Sequence, residues 1–284
     1  IHLKLLNRGH PFTLGFITME MQKKSEIARQ LTEARLFKRS LEQWSQAKIQ
    51  MTRSDAYQIQ ELGIQHRLSQ SEVRIGYKMG LTSDGKRKQM NLDSPLYGEL
   101  TNKMHVLNSS IFDITPLIHS KIEPEVAFKI KSTLKGKVDY ATVIANITHV
   151  CATMEILDSR YTQFKYFSME DVIADNSSSS HFVMGNWVPF ESAQILENAR
   201  LEMYVNDVLS QAGDVKEISG DPIQSVVQLC ELLHENGRSL EAGSIVLAGA
   251  ATAAVELKPN QKIELKITGT KTVLPPAIVH IKGT

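Results

Sequence analysis

Cysteine is scarce in this chain of 284 residues, which has only Cys151 and Cys230. Two cysteines so far apart provide neither a disulfide framework nor a thiolate zinc site, and their scarcity favours a reducing cytoplasm. Long apolar runs are also lacking, because the most apolar stretch, 242–255, is shorter than the roughly 20 residues of a membrane-spanning helix. We expect a cytoplasmic protein without a membrane span, in which both thiols are buried and inert.

An excess of charge of one sign is missing as well, since 32 Lys and Arg residues face 31 Asp and Glu residues, a net charge of +1. Proteins that bind nucleic acid concentrate basic residues on one surface. The short basic run at 86–88 contains no aromatic residue. Glycine loops of the GxGxxG type, HExxH zinc motifs and nucleophile elbows are absent too. We therefore expect no nucleic-acid partner and none of these common enzyme classes.

Apolar periodicity divides the chain into a helical part and a strand-rich part. Between residues 23 and 68, apolar residues recur at helical spacing and predict two or three amphipathic helices, one of which starts at 52–55. After residue 71, short apolar runs separated by Gly, Pro and Asn predict strands, with helices near 140–147 and 222–236. The predicted strands are 73–79, 96–100, 122–130, 203–208, 245–247, 262–267 and 277–281.

These patterns predict an α+β fold in two parts. Residues 1–105 form an N-terminal helical cap. Its segment 1–20 lacks the apolar core of a signal peptide and precedes the helical pattern, so it is interpreted as an extension or a mobile arm. Residues 106–284 form a β-rich domain. The residues with the most distinctive chemistry lie on both sides of this boundary.

Two glutamates separated by one residue, Glu123 and Glu125, lie in a predicted strand. Positions i and i+2 of a strand share a face, so both carboxylates project to the same side. Two like charges so close need a compensating cation. A divalent metal with oxygen ligands is one solution, neighbouring Lys121 or Lys129 is another, and a solvated face is the third interpretation.

A second acidic segment, 154–161, holds Glu155 and Asp158 among apolar residues and next to Arg160. One interpretation is a buried ion pair between Asp158 and Arg160, with Glu155 exposed. In the other, Glu155 adds a third carboxylate to the first pair and Asp158 and Arg160 lie behind it. Three carboxylates with open positions suit Mg²⁺ or Mn²⁺.

A lysine between two glycines, Lys78, lies on a predicted strand. Glycine on either side allows a ligand to approach the backbone closely. A desolvated lysine near a metal transfers protons near neutral pH, although most lysines are simply exposed. The polar run 174–178 and the small-residue run 248–252 are further candidates for ligand contacts, and both are also compatible with ordinary turns.

Taken in order, the lysine motif, the Glu-Pro-Glu pair, the segment 155–160, the segment 174–176 and the segment 242–249 strongly resemble one family. It is the 4-oxalocrotonate decarboxylase and 2-oxopent-4-enoate hydratase family of the fumarylacetoacetate hydrolase superfamily. The similarity runs from about residue 23 to the C-terminus. It implies a mixed β-roll, a Mg²⁺ or Mn²⁺ ion, a small 2-oxo acid substrate, a homo-oligomer and a complex with a companion hydratase.

The resemblance also implies roles for individual residues. Glu123, Glu125 and Glu155 correspond to the metal ligands of the catalytic β-rich domain, and Lys78 corresponds to the acid/base lysine. The implied substrate-binding residues are Leu81, through its backbone, together with Lys121, Asp158, Arg160, Lys165 and Ser178. Lys121, Arg160 and Lys165 supply cations for a second carboxylate of the substrate.

The branch of the family is indicated by residue 96. Hydratases are expected to carry an aspartate there, whereas this chain has Leu96. The segments 117–121 and 158–165 also resemble the decarboxylase pattern, although Pro124 departs from the usual small residue. We therefore expect decarboxylation of 2-oxohex-3-enedioate (4-oxalocrotonate) to 2-hydroxypenta-2,4-dienoate. A 2-hydroxypenta-2,4-dienoate hydratase and a non-catalytic partner subunit are the alternatives.

Overall fold

The computed structural model describes residues 19–83, 87, 94–164 and 168–283. Within these residues the fold combines helices with two mixed sheets. The helices are α1 (Met21–Leu36), α2 (Arg53–Ser69), α3 (Tyr140–Asn146), α4 (Met169–Ala174) and α5 (Pro222–Glu235). The described helices are too short or too polar to span a bilayer.

The strands of the larger sheet run in the order β2-β1-β11-β5-β6-β7-β3, with β12 paired to β5 and β8 to β6, and those of the smaller sheet run β10-β9-β13-β14-β4. Their bounds are β1 (Arg74–Gly80), β2 (Leu96–Thr101), β3 (His105–Val106), β4 (Ser110–Asp113), β5 (Ser120–Ile130), β6 (Ile147–Asp158), β7 (Ser179–Met184), β8 (Val188–Pro189), β9 (Arg200–Val205), β10 (Val208–Asp214), β11 (Ile245–Leu247), β12 (Val255–Glu256), β13 (Lys262–Thr268) and β14 (Leu274–Lys282).

Helix ends follow the local chemistry of the sequence. The Thr52 side chain accepts a hydrogen bond from the backbone N–H of Asp55, whose carboxylate accepts the N–H of Thr52, so a capping box begins α2 at the predicted position. Asp221 caps α5 and Pro222 occupies its first turn. Gly237, with φ 68°, ends the same helix in the left-handed region that glycine adopts without strain.

The centre of the larger sheet is the antiparallel pair β5 and β6. Both strands are buried along most of their length, and β13 and β14 of the smaller sheet pack against β6. A strand whose two faces are both buried usually has an almost continuous run of apolar residues. The acidic side chains therefore project from two central, buried strands.

The α+β prediction is confirmed, and the predicted strands are present with ends shifted by a few residues. The sequence patterns did not predict the long strand β6, nor the strands β3, β4, β7, β8, β10 and β12. The domain boundary after residue 105 stays a prediction, and β1 and β2, which precede it, are hydrogen-bonded into the same sheet as β5. Residues 1–18 of the predicted extension lie outside the described residues.

Candidate metal and substrate site

Three carboxylates meet on one face of the β5–β6 pair. Glu123 lies directly opposite Glu155 in the antiparallel register, and Glu125 shares the face of Glu123 two residues further along β5. One carboxylate oxygen from each residue lies within 4.8 Å of the other two. The predicted ligand set is therefore assembled by strand register.

The environment of these carboxylates favours a bound cation. Glu125 and Glu155 are fully buried, and among the described residues Glu125 Oε1 and Glu155 Oε1 have no hydrogen-bond partner. Burial, followed by the negative charges of Glu155 and Glu123, raises the pKa of Glu125 well above its usual value. Burial likewise raises the pKa of Glu155, and the positive charge of Lys78 opposes this rise. Oxygen donors with unmet negative charge fit a hard divalent cation.

Lys78 extends from β1 to the same cluster. Its side chain is almost fully buried, and its Nζ lies 3.1 Å from Glu155 Oε2. Because a buried charge is costly without a partner, this ion pair fixes the lysine against the carboxylate cluster. The arrangement places a proton donor next to the candidate metal ligands.

The loop after β11 holds the Glu125 carboxylate by a backbone hydrogen bond. The backbone N–H of Gly249 donates a hydrogen bond of 2.8 Å to Glu125 Oε2. Gly249 has φ +108°, and a Cβ atom there would lie 2.4 Å from Thr82 Oγ1. Only glycine combines this backbone angle with so close an approach. The small-residue run 248–252 was thus one signal for the site, although its role in holding a metal ligand was not predicted.

A cavity of about 350 Å³ opens over Lys78 and Glu123. Its wall combines polar and apolar side chains, which suits a small polar organic ligand. Lys121 lies on this wall with its Nζ 4.3 Å from the centre of the Phe164 ring. The wall also includes Leu81, Thr82, Leu96 and Ser177.

The structure brings some of the predicted substrate-binding residues to this cavity and not others. Leu81 and Lys121 line it, as expected. Ser177 lines it in place of Ser178, which is buried behind the wall. Asn176, Ser177 and Ser178 all have positive φ, so the side chains of this turn do not follow a regular alternation that the sequence reveals. Lys165 lies outside the described residues.

The structure gives Arg160 and Asp158 other contacts than those predicted from the sequence. Arg160 forms its ion pair with Asp175, not with Asp158, and its Nη1 donates to the backbone oxygen of Asp158 at 2.6 Å. The Asp158 carboxylate accepts the backbone N–H groups of Ile118 and His119 at 2.9 and 2.6 Å. Both side chains are buried and neither lines the cavity described above, because they hold neighbouring backbone in place.

Comparison with known proteins identifies the family. The sequence model of the fumarylacetoacetate (FAA) hydrolase C-terminal family matches residues 107–275. The chain belongs to the fumarylacetoacetate hydrolase family. A family member from Pseudomonas sp, named 4-oxalocrotonate decarboxylase, is 37% identical over 86% of this chain and 94% of its own length. A member from Dechloromonas aromatica (strain RCB), named 2-keto-4-pentenoate hydratase 1, is 31% identical over 77% of this chain and 83% of its own length.

A solved family structure extends the similarity to three dimensions. The 4-oxalocrotonate decarboxylase from Pseudomonas putida G7, complexed with magnesium and adipate, superposes with a TM-score of 0.87 at 30% identity and covers 93% of this chain and 99% of its own. The family resemblance and the fold expected from the sequence are thus confirmed. The three carboxylates of this chain form a candidate divalent-metal site within that fold.

Proposed function

We propose that this protein is a metal-dependent decarboxylase that converts 4-oxalocrotonate to 2-hydroxypenta-2,4-dienoate and CO₂. The observation that carries the proposal is the meeting of Lys78 with Glu123, Glu125 and Glu155 at one small cavity. The similarity to decarboxylases at 37% identity supports the same reaction.

Glu123, Glu125 and Glu155 would hold the cation, which is Mg²⁺ or Mn²⁺ in our proposal because the donor set consists only of oxygen. When bound, the cation supplies positive charge beside the substrate oxygen on which negative charge develops as CO₂ leaves. Gly249 keeps one oxygen of Glu125 engaged by its N–H, so the other oxygen remains directed at the cluster.

Lys78 acts as the proton donor in this proposal. Loss of the distal carboxylate breaks its carbon–carbon bond and leaves the electron pair spread over the chain as a dienolate. The ammonium of Lys78 transfers a proton to that dienolate and gives the neutral dienol. Burial of Lys78 against Glu155 keeps the ammonium at a fixed position and away from bulk water.

The cavity wall accounts for recognition of a dicarboxylate. Lys121, held over the Phe164 ring, provides a cation for the distal carboxylate at the side of the cavity. The backbone next to Leu81 and the hydroxyl of Ser177 are the proposed contacts of the 2-oxo acid end. Adipate, which accompanies magnesium in the related Pseudomonas putida G7 structure, is also a dicarboxylate.

Leu96 favours decarboxylation over hydration. Its side chain is buried and forms part of the cavity wall, close to Gly80 and Ser177. An apolar side chain offers no base to activate water at this position. The alternative, a hydratase, is supported by the similarity to relatives named as hydratases, such as the one from Dechloromonas aromatica.

The test is to give the purified, Mg²⁺-loaded protein each of the two candidate substrates in separate cuvettes. We expect CO₂ release from 2-oxohex-3-enedioate and no water addition to 2-hydroxypenta-2,4-dienoate. Loss of the dienoate absorbance without CO₂ release from the first substrate would identify a hydratase instead. Turnover of neither substrate, with metal bound, would identify a non-catalytic partner subunit.

The homo-oligomer and the complex with a companion hydratase stay predictions of the family resemblance. The cytoplasmic location stays a prediction from the scarcity of cysteine. Sedimentation of the protein alone and mixed with a hydratase of the family tests the first two.

A further inference from the structure

A second, smaller cavity lies between α1, α2 and the turn that follows α4. Its volume is about 40 Å³, enough for a few water-sized particles and too small for the proposed substrate. Three arginines line it, namely Arg35 in the last turn of α1, Arg67 in the last turn of α2, and Arg160 after β6. Such a concentration of guanidinium groups in one small cavity demands compensating negative charge.

Two of the three arginines have carboxylate partners. Arg160 pairs with Asp175, and Arg67 lies 3.4 Å from Glu72. Glu72 also accepts a hydrogen bond from the Thr101 hydroxyl, so its charge is already shared. Among the described residues, no carboxylate lies within ion-pair distance of Arg35.

The electrostatics of the cavity agree with an unmet positive charge. Burial, followed by the charges of Arg67 and Arg160, lowers the pKa of Arg35 to about 10. His181 adds no further positive charge at pH 7, because burial and then the charges of Arg67 and Arg35 lower its pKa to about 4 and leave the ring neutral.

We propose that this cavity binds a small monovalent anion, of the class of chloride, bromide or nitrate, between the guanidinium groups of Arg35, Arg67 and Arg160. The anion would pair with Arg35, which alone of the three arginines has no carboxylate within ion-pair distance among the described residues. The hydrogen bonds would come mainly from the N–H groups of Arg35 and from those of Arg67 that do not reach Glu72. Arg160 already donates to Asp175, Asp158 and Ser179, so it contributes mainly its charge. The small volume selects an ion of halide or nitrate size over a larger organic acid.

One turn, residues 175–177, separates the proposed anion site from the catalytic cavity, which is the cavity that opens over Lys78 and Glu123. Asp175 and Asn176 line the arginine cavity, whereas Ser177 lines the catalytic cavity. Asn176 also binds β2, because its side chain accepts the N–H of Glu99 at 2.8 Å and donates to the Glu99 carbonyl at 3.0 Å. An anion that neutralises the arginines therefore stabilises the turn that carries Ser177.

The test uses the full chain and bromide as the probe. In thermal unfolding at constant ionic strength, with bromide replacing gluconate, we expect a saturable rise of Tm of roughly 2–4 °C. Arg35→Gln should abolish the rise and should be at least as stable as the wild type in gluconate, because it removes repulsion among the arginines. Arg39→Gln is the matched control, since Arg39 is exposed near the end of the same helix, and it should keep the rise.

Crystals soaked in bromide provide the second measurement. An anomalous bromine peak between the three guanidinium groups, together with the saturable Tm shift, supports the site. A peak without the shift would mean an adventitious ion only and would overturn the proposal. Equal shifts in wild type and Arg35→Gln, or no peak at the arginines, would also overturn it.

Discussion

Lys78 and Glu155 form a buried ion pair although their strands are not neighbours in the sheet. Lys78 lies on β1 and Glu155 on β6, and β11 and β5 run between them. The Nζ of Lys78 nevertheless lies 3.1 Å from Glu155 Oε2. The proton donor and a proposed metal ligand are thus coupled through one contact, and the two can be separated by mutation.

Replacing Lys78 with Ala should lower kcat for CO₂ release by about 10²–10⁴-fold, the usual contribution of a positioned proton donor. Metal affinity should change far less, because the lysine is not a ligand. Steady-state kinetics and calorimetric titration with Mg²⁺ on the same protein separate the two effects. A variant with nearly full kcat would remove Lys78 from the mechanism.

Replacing Glu123 with Gln should weaken metal binding at least about tenfold and lower turnover with it, because a neutral amide replaces one of the three charged ligands. Calorimetric titration with Mn²⁺ gives the affinity. Glu217→Gln is the matched control, since Glu217 is exposed and distant in sequence from the cluster. Unchanged metal affinity in Glu123→Gln would count against its assignment as a ligand.

Lys121→Gln should weaken inhibition by a dicarboxylate such as adipate by roughly threefold to tenfold, the range for a partly solvated charge pair. Inhibition by a monocarboxylic 2-oxo acid should stay the same, because only the distal carboxylate loses its cation. Lys129→Gln, at an exposed position near the other end of the same strand, should behave as wild type. Equal losses for both inhibitors would assign Lys121 a structural role only.

Gly249→Ala should destabilise the protein more than Gly136→Ala. Both glycines have positive φ, so each alanine costs about 1–2 kcal/mol of backbone strain. A Cβ at Gly136 meets nothing within 4 Å, whereas one at Gly249 collides with Thr82. The collision adds about 1–3 kcal/mol and displaces the N–H that holds Glu125. Chemical denaturation of the two variants measures the difference, and equal losses would contradict the close approach.

Stability should fall on acidification because of His181. Burial, followed by Arg67 and Arg35, lowers its folded pKa to about 4 from the ordinary 6.5. Between these values the unfolded chain binds the proton and the folded chain does not, so stability decreases as pH falls from about 6.5 to about 4, by roughly 3 kcal/mol.

His181→Asn removes this titration while keeping a polar group near Ser180, which contacts the His181 ring. The difference in unfolding free energy between wild type and variant should therefore shrink or reverse as pH falls. His66→Asn, on the exposed surface of α2, should follow the wild-type pH profile. A wild-type profile in His181→Asn as well would refute this assignment.

The acidic cluster was predictable where it depends on local geometry. Glu123 and Glu125 share a face because strand side chains alternate, and this alternation is visible in the sequence. For Glu155 the sequence left two interpretations open, an exposed side chain or a third ligand, because its position opposite Glu123 is set by the register of β5 against β6. No local pattern specifies that register.

The role of Arg160 was not predictable from its neighbours in sequence. Asp158 is two residues away, yet the guanidinium pairs with Asp175, which a turn brings back to it. Ser177 lines the cavity in place of the predicted Ser178 for a similar reason. Three successive residues with positive φ replace the regular alternation of a strand at this turn. Tertiary contacts and irregular backbone decide both cases.

The most direct test of the account is CO₂ release from 2-oxohex-3-enedioate by protein freed of metal with EDTA, before and after Mg²⁺ is restored. The account predicts no release in EDTA, full recovery with Mg²⁺, and little recovery for Glu125→Gln under the same conditions. Undiminished CO₂ release by the metal-free protein would contradict the claim that the three carboxylates act through a bound cation.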